Sequence, residues 1–178
     1  MEEVSLRELS LEDVRDRYSW ICDPEVTRYL NVPDKTPPFT IEETQRWMEA
    51  CIQGSNGYYQ RAIVMGDTHA GWVDLKNFDS DSQQAELGIC IGDKSYWGKG
   101  YGQKALIKML ENGFTQLHLN KIWLRVDIDN IVAIKCYQNT GFKQEKIMKQ
   151  DRLRKGIYID RIKMSILKSE FESCSKRK

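Results

Sequence analysis

The stretch YWGKGYGQKAL, residues 96–106, sets Gly98, Gly100 and Gly102 immediately ahead of a helical pattern. Glycine loses more conformational freedom on folding than any other residue and packs nothing, so glycines clustered at a helix start need a reason. A strand, a side-chain-free turn and then a helix leave several backbone N–H groups unpaired at the positive end of the helix. Phosphate oxygens suit such a place, because no Cβ keeps them from the N–H groups. Lys99 adds a charge at the rim. Two familiar phosphate loops do not fit. A Walker loop needs Ser or Thr after Gly-Lys, whereas Gly98-Lys99 is followed by Gly100. A dinucleotide fingerprint needs Gly-x-Gly-x-x-Gly, and here the third glycine comes one residue early, at Gly102. A glycine turn without a ligand is the plainer alternative.

The segment just before it, AELGICI (85–91), carries Gly88 inside an apolar run. Interior glycine in a strand marks a bulge or a close backbone approach. A bulge at Gly88 would push this strand away from the next one, KIWLRVDI (121–128), and leave N–H and C=O groups unpaired at Ile89, Cys90 and Ile91. An extended ligand with amide groups can pair there as a surrogate strand. Coenzyme A has both a pyrophosphate and a peptide-like arm.

The remaining elements follow from periodicity and punctuation. VSLREL (4–9) alternates as a strand, and SLEDVRDRYSWI (10–21) opens with a Ser-x-x-Asp capping box at Ser10. NVPDKTPPF (31–39) is a proline-rich loop. TIEETQRWMEACIQ (40–53) predicts a helix with Ile41, Thr44/Gln45, Met48 and Ile52 on one face. YYQRAIVM, HAGWVDLKNF and QQAELGICI read as three successive strands. After the glycines, Ala105, Leu106, Met109, Leu110, Phe114 and Leu117 keep helical spacing. NIVAIKCYQNTGF (130–142) is a helix opened by Asp129 or Asn130 and closed by Gly141, with a final hairpin around DRLRKG (151–156). The order β-α-α-β-β-β-α-β-α-β-β predicts an α/β fold: a mixed, mostly antiparallel sheet flanked by helices, split between its fourth and fifth strands. Residues 1–178 read as a single domain, with a flexible C-terminal tail from about residue 168.

Composition bounds the partners. Lys and Arg total 27 against 26 Asp and Glu, a net +1 that offers no global field for nucleic acid. Five scattered cysteines without a Cys-x-x-Cys pair suggest reduced thiols and a cytoplasmic setting. MEEVSLREL has no apolar core of a signal peptide, and no membrane-length apolar run occurs. His69 and His118 lack metal-ligand spacing, so no metal is expected.

AELGICIG, YWGKGYGQKAL and DNIVAIKCYQNTGF, in that order, together resemble the GNAT superfamily of N-acetyltransferases, specifically the Rim-type and spermidine-acetyltransferase-like branch. The resemblance implies the GNAT fold and acetyl-CoA as co-substrate. In that family an Arg/Gln-x-x-Gly-x-Gly/Ala loop holds the pyrophosphate; Trp97, Gly98, Lys99, Gly100, Tyr101 and Gly102 match it, with Trp97 standing where many members have Arg or Gln. It further implies that Ile89, Cys90 and Ile91 pair with the pantetheine arm, that Asn130 reaches the cofactor and that Tyr137 lies beside its sulfur.

The chemistry then makes three demands. A primary amine near pKa 10 must lose a proton before it attacks a thioester, and Glu86 is the candidate base, directly or through water. A growing oxyanion needs a donor, expected from a backbone N–H near Cys90. The departing thiolate needs a proton, expected from Tyr137. The plainer readings are an outward-facing carboxylate for Glu86 and a core tyrosine for Tyr137. Cys136 has no histidine beside it in sequence and reads as core. Trp20, Tyr29, Trp47 and Trp72 read as core rather than pocket, and the basic run KQDRLRKGIYIDR as a solvated hairpin tip. Competing functions are a non-catalytic acyl-CoA-binding or sensing module and a protein binding another nucleotide phosphate. The acceptor stays open among polyamine, protein N-terminus, amino sugar, amino acid and aminoglycoside, and a homodimer is compatible.

Overall fold

The computed structural model describes residues 2–33 and 35–175. Along the chain lie β1 (Val4–Arg7), a 3₁₀ turn, α1 (Val14–Cys22), α2 (Pro24–Thr27), α3 (Ile41–Ile52), β2 (Tyr59–Met65), β3 (Thr68–Asp79) and β4 (Gln84–Ile91). Then come α4 (Tyr101–Glu111), β5 (Lys121–Asp127), α5 (Ile131–Thr140), β6 (Lys143–Arg154), β7 (Ile157–Leu167) and α6 (Lys168–Ser175). The strands form one seven-stranded sheet in the order β1-β2-β3-β4-β5-β7-β6. Only β4 and β5 run parallel, joined through α4, as a parallel pair requires a crossover. Their pairing covers Gln84–Lys121, Ala85–Ile122 and Glu86–Trp123 and then stops, so the sheet opens between its fourth and fifth strands. Among the described residues no helix is long and apolar enough to cross a membrane.

Side chains alternate across β3 and β4 and divide the interior in two. On one face Ala105, Leu106, Met109 and Leu110 of α4 bury their apolar stripe, with Phe114, against Val73, Leu75, Ile122, Leu124 and Ile166. On the other face Trp72 and Cys90 meet Ile21 of α1 and Val26 of α2. A fully buried Leu or Ile contributes about 1.5–3 kcal/mol, so the α4 layer dominates the stability of the sheet.

Local signals account for most boundaries. Ser10 and Asp13 complete the capping box: the Ser10 side chain accepts from Glu12 N–H and the Ser10 N–H donates to Asp13 Oδ2 at 2.9 Å. Asn130, not Asp129, caps α5 through its side chain, and Gly141 ends it at φ 105°. Four readings are corrected. The face of α3 that is buried is Thr44, Met48 and Cys51, while Ile41 and Ile52 are exposed, because the helix also presents Trp47 to a cleft described below. No bulge lies at Gly88; β3 and β4 stay in register from Gly71–Ile91 to Lys76–Glu86, and the irregularity falls beyond Lys76. Gly88 is a place of close approach instead: a Cβ there would sit 3.0 Å from the Asp74 carboxylate and 2.9 Å from Lys76 Nζ, so those side-chain ends would have to shift. The last hairpin turns at Lys155-Gly156, so Asp151–Arg154 belong to β6 rather than to the loop. Of the stretch read as a tail, residues 168–175 form α6, whose Phe171 ring packs 5.5 Å from Phe114, and residues 176–178 lie outside the described residues.

Candidate active site

The opening between β4 and β5 leads into a cleft of about 470 Å³ that passes from α4 and α5 on one side to α1 and α3 on the other. The two parted strands supply its floor. Gly92 N–H donates to Ala70 C=O at 2.8 Å. Antiparallel alternation then turns the backbone of Cys90 toward Trp72 and the backbones of Ile89 and Ile91 toward the gap. Cys90 is therefore not a cleft donor, contrary to expectation. Its thiol packs with Trp72 and Ile21, and burial pushes it up to about 12. The Ile91 C=O is also committed, accepting from Trp97 Nε1 at 2.8 Å. Ile89 keeps the open backbone.

The glycine turn sits at the end of β4. Gly98 and Gly100 have φ of 72° and 79°, a left-handed backbone that an L side chain strains, and Gly100 caps α4 without any side-chain bond. Among the described residues the N–H groups of Gly98, Lys99, Gly100, Tyr101 and Gly102 meet no protein acceptor. Trp97 serves through the bond just named, which ties the turn to the end of β4 in place of a charged contact. Tyr101 contributes only backbone, as its ring is buried and its hydroxyl accepts from Glu2 N–H. Lys99 is exposed and without a carboxylate partner among the described residues.

Across the gap, α5 brings Asn130, Cys136 and Tyr137 to the cleft. Asn130 Oδ1 accepts from Ala133 N–H, which leaves Nδ2 for the cleft. Tyr137 stacks edge-on with Phe142 at 5.9 Å, and its hydroxyl makes no hydrogen bond to a described residue. Burial raises the phenol well above its ordinary value, with Cys136, Cys90 and Asp74 adding to it, so it holds its proton. Cys136 is not enclosed core: it lines the cleft beside Gly102, with its thiol raised by burial and neutral.

Glu86 lines the cleft but is not free. Arg125 grips both of its oxygens, Nε to Oε1 at 2.9 Å and Nη2 to Oε2 at 3.0 Å, and Asn77 Nδ2 donates to Oε2 at 2.6 Å. Both carboxylate oxygens are thus taken up by donors from β3 and β5.

Several cleft residues escaped the sequence reading. Tyr29, Trp47 and Trp72 are walls of the cleft, and only Trp20 among the four aromatics packs away from it, against Trp72 and His69. The basic hairpin is not a solvated tip: Arg152 and Arg154 converge on the buried Asp127 at 3.1 and 2.7 Å, and Arg152 Nη1 also donates to Tyr29 C=O at 3.0 Å. Arg17, Asp74 and Arg125 were missed as well. Arg17 did leave a signal, for it shares the inward stripe of α1 with Val14 and Ile21, where a charge is out of place.

Comparison with known proteins identifies the family. The chain is 33% identical over 169 residues to a spermidine N(1)-acetyltransferase of Escherichia coli, covering 94% of this chain and 88% of that one. It is 32% identical over 174 residues to an L-amino acid N-acetyltransferase of Escherichia coli, covering 94% and 100%. The crystal structure of a Vibrio cholerae spermidine N-acetyltransferase in complex with CoA and spermine superposes with a TM-score of 0.85 at 25% identity, over 95% of this chain and 98% of that one. The acetyltransferase (GNAT) domain model matches residues 3–143, and the chain belongs to that family of N-acetyltransferases.

Proposed function

We propose that this N-acetyltransferase moves an acetyl group from acetyl-CoA to a primary amine by direct attack, with the pyrophosphate at the glycine turn and the acceptor on the α1 and α3 side. One observation carries the reading: Gly102 at the start of α4, where the turn's unpaired N–H groups end, Ile89 with its open backbone and Tyr137 with its free hydroxyl all line one cleft. Bound acetyl-CoA supplies an acyl carbon on a thiol leaving group. The chain does the rest. The N–H groups from Gly98 to Gly102, with the rim charge of Lys99, hold phosphate oxygens, and Ile89 offers strand-like pairing to the amide arm. Asn130 Nδ2 adds a donor at the start of α5. The Ile89 N–H is the donor available to an oxygen that gains charge, and Tyr137 Oη gives its proton to the departing sulfur. Glu86 acts as a pin between β4 and β5, and the amine's proton leaves through water in the cleft.

The free Tyr137 hydroxyl favours transfer over mere acyl-CoA sensing, because a sensor has no use for a proton donor at the thiol. Relatives named for spermidine and for L-amino acids stand at similar identity, so likeness supports an amine acceptor without choosing its class. Free-thiol release from acetyl-CoA, measured against a panel of polyamines, amino acids, amino sugars and peptides, tests the reading. Release above the hydrolysis rate with at least one amine is expected; binding of acetyl-CoA without release for any amine would return the chain to a sensing role.

A further inference from the structure

The charges that line the cleft do not all cancel. Lys76 faces Asp74 at 3.0 Å, Arg125 faces Glu86 at 2.9 Å, Arg152 faces Asp127 at 3.1 Å, and Arg161 pairs with Asp151. Arg17 is the exception. It comes from the inward stripe of α1, is 9% exposed, and has no carboxylate within ion-pair distance among the described residues. Among the described residues its one hydrogen bond is Nη1 to Gln60 Oε1, at 3.3 Å. Gln60 in turn reaches Asp74 at 3.5 Å, so the nearest anion touches Arg17 only through an amide and is itself neutralised by Lys76.

The guanidinium lies over the face of Trp72, 3.4 Å from the ring centroid, with Trp47 4.7 Å away. Stacking fixes the plane but consumes no N–H group, and Nε and Nη2 remain as donors along its edges. A buried cation held so, with donors unspent, is costly unless something in the cleft takes them up. A flat, two-oxygen anion matches the guanidinium edge in shape and charge. A polycation meets the opposite: the one uncompensated charge on this wall repels it.

We propose that Arg17 anchors a carboxylate of the acceptor, so that the amine acetylated belongs to the amino-acid class and not to the polyamines. The inference rests on the acetyl transfer proposed above and names the acceptor of that same cleft. The acceptor end of the cleft, walled by Tyr29, Trp47 and Trp72, sets aromatic rings beside Arg17 for the side chain of an amino acid.

The test uses matched acceptors that differ only in charge: L-amino acids, their carboxamides, and spermidine, with rates referred to the free-amine fraction of each. Wild-type kcat/KM for the acid is expected to exceed that for its carboxamide by about tenfold or more, with spermidine poorest. Arg17→Met, which keeps a stem against Trp72, should raise KM for the acid by about 10–100-fold and leave the carboxamide and the calorimetric affinity for acetyl-CoA nearly unchanged. Equal rates for acid and carboxamide, or a preference for spermidine, overturn the assignment while transfer itself stands. No thiol release with any amine, together with no acetyl-CoA binding, overturns the transfer reading and this proposal with it. Should Arg17→Met fail to fold by circular dichroism, the wild-type ratio decides alone.

Discussion

Arg125 clasps both carboxylate oxygens of Glu86 just past the Glu86–Trp123 rung, the last that joins β4 to β5. The pair therefore stands where the sheet begins to open, and it fixes the width of the opening at its closed end. Glu86→Gln keeps the shape but loses the ionic half of the clasp. A loss of about 1–3 kcal/mol in urea unfolding is expected, since a hydrogen bond to a charged partner is worth about that. The shape of the pH–rate profile should not change. A profile that loses an acidic limb in the variant would make Glu86 the base after all.

Tyr137→Phe keeps the ring against Phe142 and removes only the hydroxyl. General acid help is worth about 10²–10⁴-fold, so kcat should fall by that order while acetyl-CoA affinity holds in calorimetry. No stability loss is expected, because the hydroxyl has no hydrogen bond to a described residue to give up. A fall of only a few-fold would mean that the thiolate leaves unaided.

The pH dependence follows from the same group. Burial raises the Tyr137 phenol above its ordinary 10.0, which favours the protonated, proton-giving form. The acceptor amine must be neutral, so kcat/KM should climb about tenfold per pH unit below the amine's own pKa. No descending limb from Tyr137 should set in below its ordinary value. Measuring kcat/KM from neutral to alkaline pH checks this; a limb that falls within that range and disappears in Tyr137→Phe would show a phenol of ordinary acidity.

Gly100 sits at φ 79°, and a Cβ there would meet nothing in the protein within 4 Å. Gly100→Val is thus strained by its backbone conformation, about 1–2 kcal/mol, and not by a clash inside the protein. The fold should persist, and calorimetric binding of acetyl-CoA should be lost because the side chain stands where phosphate must approach. Lys99→Ala should weaken binding by less than about tenfold, as an exposed charge contributes about 0–1 kcal/mol. Unchanged affinity in Gly100→Val would remove the phosphate from this turn.

Asp127 gathers Arg152 and Arg154, and through Arg152 the carbonyls of Tyr29 and Leu30 are held at the acceptor side. Asp127→Asn leaves Arg152 without its anion, while Arg154 keeps Asp129 at 2.9 Å. Breaking a buried pair costs about 3–5 kcal/mol, and each kcal/mol lowers Tm by about 2–4 °C in a domain of this size. The acceptor KM should rise with acetyl-CoA affinity unchanged. An unaltered KM would detach the hairpin from the acceptor site.

Local residues were enough for much of this. The glycine turn, the caps at Ser10 and Gly141, the start of α5 at Asp129 or Asn130, the apolar stripe of α4 and the succession of strands and helices all follow from neighbours within a turn or two of chain. Short-range hydrogen bonds, φ preferences and side-chain period are properties of such windows, so they are written in the sequence.

Tertiary structure alone decided which groups the site can use. Whether Glu86 is free depends on Arg125, far along the chain on β5; whether Cys90 or Ile89 faces the gap depends on the parity of pairing with β3. Gly88 marked a special place, but the reason was the Asp74 carboxylate on the neighbouring strand and not a bulge. The hairpin arginines looked solvated until Asp127 came beneath them, and Arg17 acquired its meaning only when every other cleft cation had found a carboxylate. Burial and ion pairing act through space between residues distant in sequence, and no local pattern encodes which charge will be left over.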